Sequence, residues 1–164
     1  MAHANGEHGQ ISKILYDEPD AAPLDLRRGS LIVDTPGRGF TDLTQATCDW
    51  LTGISAGDGL VTLFIRHTSA SLAVQENADP DVQADLLAAL DRLAPENALY
   101  RHNDEGPDDM PAHIKALITS VVISAPVANG DIMLGTWQAL YLVEHRAAPH
   151  RRDISLMFLG RTKA

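Results

Sequence analysis

Along most of its length the chain alternates short β-branched runs with longer segments in which apolar residues return at helical spacing. Residues 30–33 read as a short strand that ends in the turn-rich Pro36-Gly37-Arg38-Gly39. Leu43, Ala46, Trp50, Leu51 and Ile54 then recur with a helical period, which predicts a helix with Thr41 as N-cap and Gly53 or Gly57 at its end. Residues 59–66 form an apolar, β-branched run, hence a strand buried on at least one side, and residues 71–75 look like its continuation or neighbour. A second helix is predicted from Asp79-Pro80 through Val82, Leu86, Ala89, Leu90 and Leu93, stopping before Pro95. Residues 96–110 carry loop chemistry, and a third helix opens at Pro111 with His113 in its first turn. Residues 121–123, 132–134, 137–144 and 154–159 read as strands, with Asn129-Gly130 a strong hairpin signal.

Helices grouped in the middle and short-turned strands toward the C-terminus favour an α+β domain with an antiparallel sheet over repeated βαβ units. The chain has 164 residues, the size of one domain. Residues 30–164 carry the pattern, while residues 1–29 are polar, broken by Pro19 and Pro23, and read as an extension in which only 11–16 suits an edge strand. The first ten residues are expected to be loose.

Charge narrows the partners. A formal charge of -9 argues against a general nucleic-acid grip, and the pairs Arg27-Arg28 and Arg151-Arg152 are too short to reverse it, although either could hold one small phosphate. Cys48 is the only cysteine, which excludes an internal disulfide and fits a reducing compartment. The N-terminal residues lack the basic end and apolar run of a secretory signal, and no apolar stretch is long enough to cross a bilayer, so the expected setting is the cytoplasm with no membrane partner.

The densest polar constellation runs from His102 to His113, with Asp104, Glu105, Asp108 and Asp109 between them. Imidazole suits Zn and its first-row neighbours, and carboxylates suit Mg, Mn and Ca, so a divalent metal is one reading and an acidic solvated loop the other. Gly106-Pro107 lets the loop fold back, and His145 at a strand end is a candidate third ligand. Arg66-His67-Thr68-Ser69-Ala70-Ser71 follows an apolar strand and offers hydroxyls, a cation and backbone N–H groups to an anion. His67 beside Ser69 and Ser71 also evokes serine hydrolysis, but no GxSxG elbow accompanies it. Glu76-Asn77 could supply a base or an oxygen donor, and Gly135-Thr136-Trp137-Gln138 offers a flat indole that serves either as core or as a stacking face.

Taken together and in order, His67-Thr68-Ser69-Ala70, Glu76-Asn77-Ala78-Asp79-Pro80, residues 105–115, Gly135-Thr136-Trp137-Gln138 and Glu144-His145-Arg146 resemble the YjbQ-like family, also called uncharacterised protein family 0047. The resemblance implies a compact α+β fold, a homotrimer and a secondary thiamine-phosphate synthase activity, joining an aminopyrimidine diphosphate to a thiazole phosphate with release of pyrophosphate. It implies a divalent metal (Zn, Mg or Mn) on His102, His113 and His145, with Asp104, Glu105 or Asp109 beside it. It assigns catalysis to His67, Ser69, Glu76, Asp109 and Arg146, and substrate binding to Thr68, Ser71, Asn77, Lys115, Trp137 and Gln138. Phosphate would fall to His67, Ser69, Arg146 and Lys115. A metal-assisted hydrolase or other phosphoryl-group enzyme, and a non-catalytic trimer that binds a phosphorylated metabolite, are the competing classes.

Overall fold

The computed structural model describes residues 23–163, and the suggested edge strand at 11–16 lies outside them. The chain runs β1 (Asp25–Thr35), β2 (Gly39–Asp42), α1 (Thr44–Gly53), β3 (Ala56–Ile65), β4 (Ala70–Glu76), α2 (Pro80–Leu93), α3 (Asp109–Ile118), β5 (Val122–Ala128), β6 (Asp131–Ile132), β7 (Gln138–Glu144) and β8 (His150–Thr162). A five-stranded sheet has the order β1-β8-β3-β5-β6 and a three-stranded sheet the order β2-β7-β4, with every pairing antiparallel. The α+β architecture read from the sequence is therefore the observed one.

Period-2 patterning explains the larger sheet. Val61, Leu63 and Ile65 of β3, Ile154, Leu156 and Phe158 of β8, and Ile123, Ala125 and Val127 of β5 point to one face and are buried. They share a core with Leu72 of β4, Leu140 and Leu142 of β7, and Leu43 and Leu51 at α1. The opposite face keeps Leu26, Leu60, Phe64, Val122, Met157 and Leu159 exposed. Strand β7 differs, since residues 139–144 are buried throughout and Tyr141, on the face away from the core leucines, packs edge-on against Phe40.

Several local expectations change. Thr41 belongs to β2, paired with Leu142, and the first helix starts at Thr44, whose N–H is taken by Asp42 Oδ1 at 2.7 Å. Residues 70–76 neither continue β3 nor pair with it; they cross to the smaller sheet and pair with β7. The third helix opens at Asp109, so Pro111 sits inside its first turn and His113 lies in the second. Strand β1 begins at Asp25, inside the segment read as an extension, because β8 is long enough to pair with it along its whole length. The hairpin at Asn129-Gly130 is present, with φ of 54° and 91° in the left-handed region. No helix among the described residues is long and apolar enough to cross a membrane.

Candidate functional site

The end of β7, the β3–β4 loop and the start of α3 meet around Asp109. Asp109 is the first residue of α3 and only 2% exposed, and His113 lies one helical turn on, on the same face. Oδ2 of Asp109 stands 2.7 Å from Nε2 of His102 and 3.5 Å from Nε2 of His113. That oxygen is buried, yet neither contact has hydrogen-bond geometry. The orientation of His113 is fixed from behind: its Nδ1 lies 3.0 Å from the carbonyl oxygen of Thr68. A carbonyl only accepts, so Nδ1 carries a proton and Nε2 is the ring nitrogen turned toward Asp109. Three donor atoms of His102, Asp109 and His113 lie within 4.8 Å of one another. Two ring nitrogens beside a buried carboxylate oxygen that has no hydrogen bond are a donor set that could hold a metal ion.

The expected third imidazole is elsewhere. His145 is buried and its Nε2 pairs with Ser71 Oγ at 2.9 Å, which also withdraws Ser71 from any surface. Burial, reinforced by the Lys115 ammonium, depresses its pKa to about 4. Asp109, not His145, joins His102 and His113. Lys115 is buried and donates to Asp91 Oδ1 at 2.5 Å; Asp91 also receives Arg38 at 3.1 Å. Arg146 donates to Asp109 Oδ1, to Asp108 Oδ2 at 3.2 Å and to the carbonyl of Glu105 at 2.7 Å. Of the two cations expected to hold phosphate, Arg146 thus has each guanidinium nitrogen engaged inside the chain and buried Lys115 is paired with Asp91.

Two carboxylates anchor this frame, and neither was visible as such in the sequence. Glu144 accepts from Arg152 Nη2 at 2.5 Å and Nε at 2.7 Å, from Thr35 at 2.9 Å and from the Arg146 N–H at 3.0 Å. Burial raises its pKa, but these donors outweigh burial and leave it below the ordinary value. Asp108 follows the same logic: burial pushes up, while the Ala147 N–H and Arg146 hold it lower. The signals for Glu144 and Arg152 were a charge ending an otherwise apolar strand and an arginine at an inward position of β8.

Beside the imidazole of His113 opens a cleft of about 950 Å³. Phe64, Ile114, Leu117 and Val121 form its apolar wall, and Arg66, His67, Thr68 and Ser69 its polar lip. His67 Nε2 accepts from the Asp153 N–H at 2.9 Å, and burial followed by the Arg152 charge lowers its pKa, so the ring is held neutral with its proton on Nδ1. Arg66 pairs with Asp153 at 3.0 Å on the surface.

Glu76, Asn77, Trp137 and Gln138 lie at the other end of the smaller sheet. Ala70 pairs with Glu144 and Glu76 with Gln138, so the seven residues of β4 separate the two groups by roughly 20 Å at ~3.3 Å per residue. At that far end Asn77 N donates to the Trp137 carbonyl at 3.0 Å, Gln138 Oε1 accepts from Gly135 N at 2.8 Å, and Trp137 is 64% exposed. One copy of the chain does not bring them to the cleft.

The comparisons with known proteins agree with this frame. The family described as UPF0047 protein YjbQ-like matches residues 30–161. A UPF0047 protein of Synechocystis is 44% identical over 141 residues, covering 85% of this chain and 96% of its own, and UPF0047 protein YjbQ of Salmonella typhimurium is 46% identical over 124 residues, covering 75% and 90%. Among solved structures, a YjbQ/UPF0047 family protein from Clostridium acetobutylicum superposes with a TM-score of 0.70 at 32% identity, over 80% of this chain and 98% of its own. A YbjQ-like protein of unknown function from Sulfolobus solfataricus shares the fold with a TM-score of 0.78 at 21% identity, over 85% and 100%. With nearly the whole length of each relative matched and the family match running from within β1 almost to the end of β8, the chain belongs to the YjbQ-like UPF0047 family.

Proposed function

We propose that the protein is a divalent-metal-dependent transferase for phosphorylated small molecules, of the thiamine-phosphate synthase type implied by its family resemblance. The observation that carries the reading is the buried Asp109 Oδ2, without a hydrogen bond and flanked by the Nε2 atoms of His102 and His113. These three residues would hold the metal. Two imidazoles and one carboxylate suit Zn or Mn better than Mg, and leave coordination positions for oxygens from a ligand. A bound divalent cation would supply charge stabilisation to a departing pyrophosphate.

The reaction joins the thiazole nitrogen to the methylene carbon of the aminopyrimidine diphosphate. The nitrogen gives its electron pair, the carbon–oxygen bond breaks, and pyrophosphate departs with that pair. The apolar wall of Phe64, Ile114 and Leu117 suits a flat heterocycle, and Arg66 and His67 on the polar lip would meet its anionic groups. Desolvation on this wall strengthens each of those polar contacts.

The three-donor set equally supports a metal-assisted hydrolase, in which a water takes an open position. Purified protein supplied with both precursors and Zn, Mn or Mg separates the readings. The synthase reading expects pyrophosphate release only when both precursors are present, with kcat/KM near or above ~10^4 per molar per second. Phosphate released from a single ester selects the hydrolase, and binding of either precursor without turnover selects a metabolite-binding module.

The same proposal includes a homotrimer in a reducing cytoplasm. The apolar outer face of the larger sheet supports self-association, since Leu60, Phe64, Met157 and Leu159 adjoin there across β3 and β8. Sedimentation of the purified chain is expected at three copies, and a monomer at micromolar concentration removes the trimer.

A further inference from the structure

We propose that Arg146 is the positioning residue of the metal centre, holding the 105–109 turn against the end of β7 so that Oδ2 of Asp109 faces the two imidazoles. The inference rests on the metal reading above. Each nitrogen of the guanidinium has a partner in the chain: Nε donates to Asp108 Oδ2 at 3.2 Å, Nη2 to the Glu105 carbonyl at 2.7 Å, and Nη1 to Asp109 Oδ1. By occupying Oδ1, the side chain leaves Oδ2 as the atom that meets His102 and His113. The planar fork of an arginine can set the plane of a carboxylate in this way, whereas an ammonium is a point charge with no such directionality.

The residue that carries the fork is itself fixed. Its N–H donates to Glu144 Oε1 at 3.0 Å, and Glu144 is buried and clamped by Arg152. The next N–H, of Ala147, reaches Asp108 Oδ2 at 2.8 Å, so the backbone and the side chain hold the same turn. The Arg or Lys ion pairs of Glu105, Asp108 and Asp109 among the described residues are all to Arg146. Without it, three neighbouring carboxylates repel one another at the mouth of α3. A phosphate could recruit this guanidinium only by releasing the turn that builds the metal centre, which separates Arg146 from the groups that touch substrate.

The test titrates Co(II) into full-length protein and follows the visible ligand-field bands, alongside hydrogen–deuterium exchange of residues 103–110 in the metal-free protein. Arg146→Gln is expected to weaken Co(II) binding by roughly ten- to a hundred-fold, to alter the band pattern at saturation, and to speed exchange in the turn. Arg146→Lys, with the charge but not the fork, is expected to recover only part of the affinity, and it carries the test if the glutamine variant does not fold. Arg38→Gln breaks pairs with Asp91 and Glu96 but touches no donor, and is expected to leave Co(II) affinity unchanged. Wild-type affinity in Arg146→Gln, or an equal loss in Arg38→Gln, overturns the proposal. A wild-type protein that binds no Co(II) overturns the metal reading itself and the positioning role with it; exchange in the turn then reads whether Arg146 holds the loop for another purpose.

Discussion

Asp109 combines two roles that a carboxylate at the first position of a helix can hold together. The N-terminal end of α3 stabilises its charge, and the same position projects Oδ2 toward His113 one turn along. His113 is the more informative residue to remove, because its ring is one-third exposed and its loss leaves no large cavity. His113→Ala is expected to lower bound Zn or Mn from about one per chain to a small fraction, with an unchanged near-ultraviolet spectrum. Metal content by mass spectrometry checks it, and an undiminished stoichiometry takes His113 out of the centre. The donor types between His102 and His113 were legible from composition alone. Asp109 is one of the acids expected beside them, but that it and not His145 lies next to the two rings was not legible, because whether His145 faces solvent or Ser71 depends on β4 and β7 pairing across many residues.

At the scale of elements, what was legible was what local rules decide. Helix α2 starts where Asp79-Pro80 places it, and the Asn-Gly hairpin forms where expected. The rule that proline opens a helix puts α3 at Pro111; starting it at Asp109 instead is what creates the Asp109–His113 spacing, and nothing local distinguishes the two. Strand β2 is legible only through its partner β7, and β1 carries Asp25, Arg27 and Arg28, which hide a strand that β8 completes. Helix α2 has no fully buried residue, so its stability leans on its ends more than on packing. Its cap is the Asp79 carboxylate, which accepts from Asp81 N at 2.9 Å. Asp79→Ala is expected to cost about 1 kcal/mol and to raise amide exchange in the first turn of α2 while leaving α3 protected. Equal exchange in both helices would mean that they open as one unit.

Across the whole molecule, a layer of charge lies under the end of the smaller sheet, with Glu144, Arg152, His145 and Lys115 all buried. Its titration sets how the fold answers acid. His145 has a folded pKa of about 4 against an ordinary 6.5. Between those values the unfolded chain binds a proton that the folded chain refuses, so stability is full above pH 6.5 and falls as pH drops toward 4, by about 3 kcal/mol. His67 is also lowered, by burial and then Arg152, and adds a smaller loss of the same sign. Glu144 and Asp108 lie below their ordinary 4.5 and 3.8; their contributions are present above those values and disappear as pH falls through the folded ones, so a second loss follows the first. Urea unfolding at fixed protein concentration from pH 7.5 to 4 is expected to show the midpoint falling from near pH 6.5 downward. His145→Gln starts from a lower midpoint but removes the larger titrating group, so its midpoint should vary less over the same range. A slope equal to wild type would leave His67 and the carboxylates as the source of the acid sensitivity and exclude the His145 imidazole.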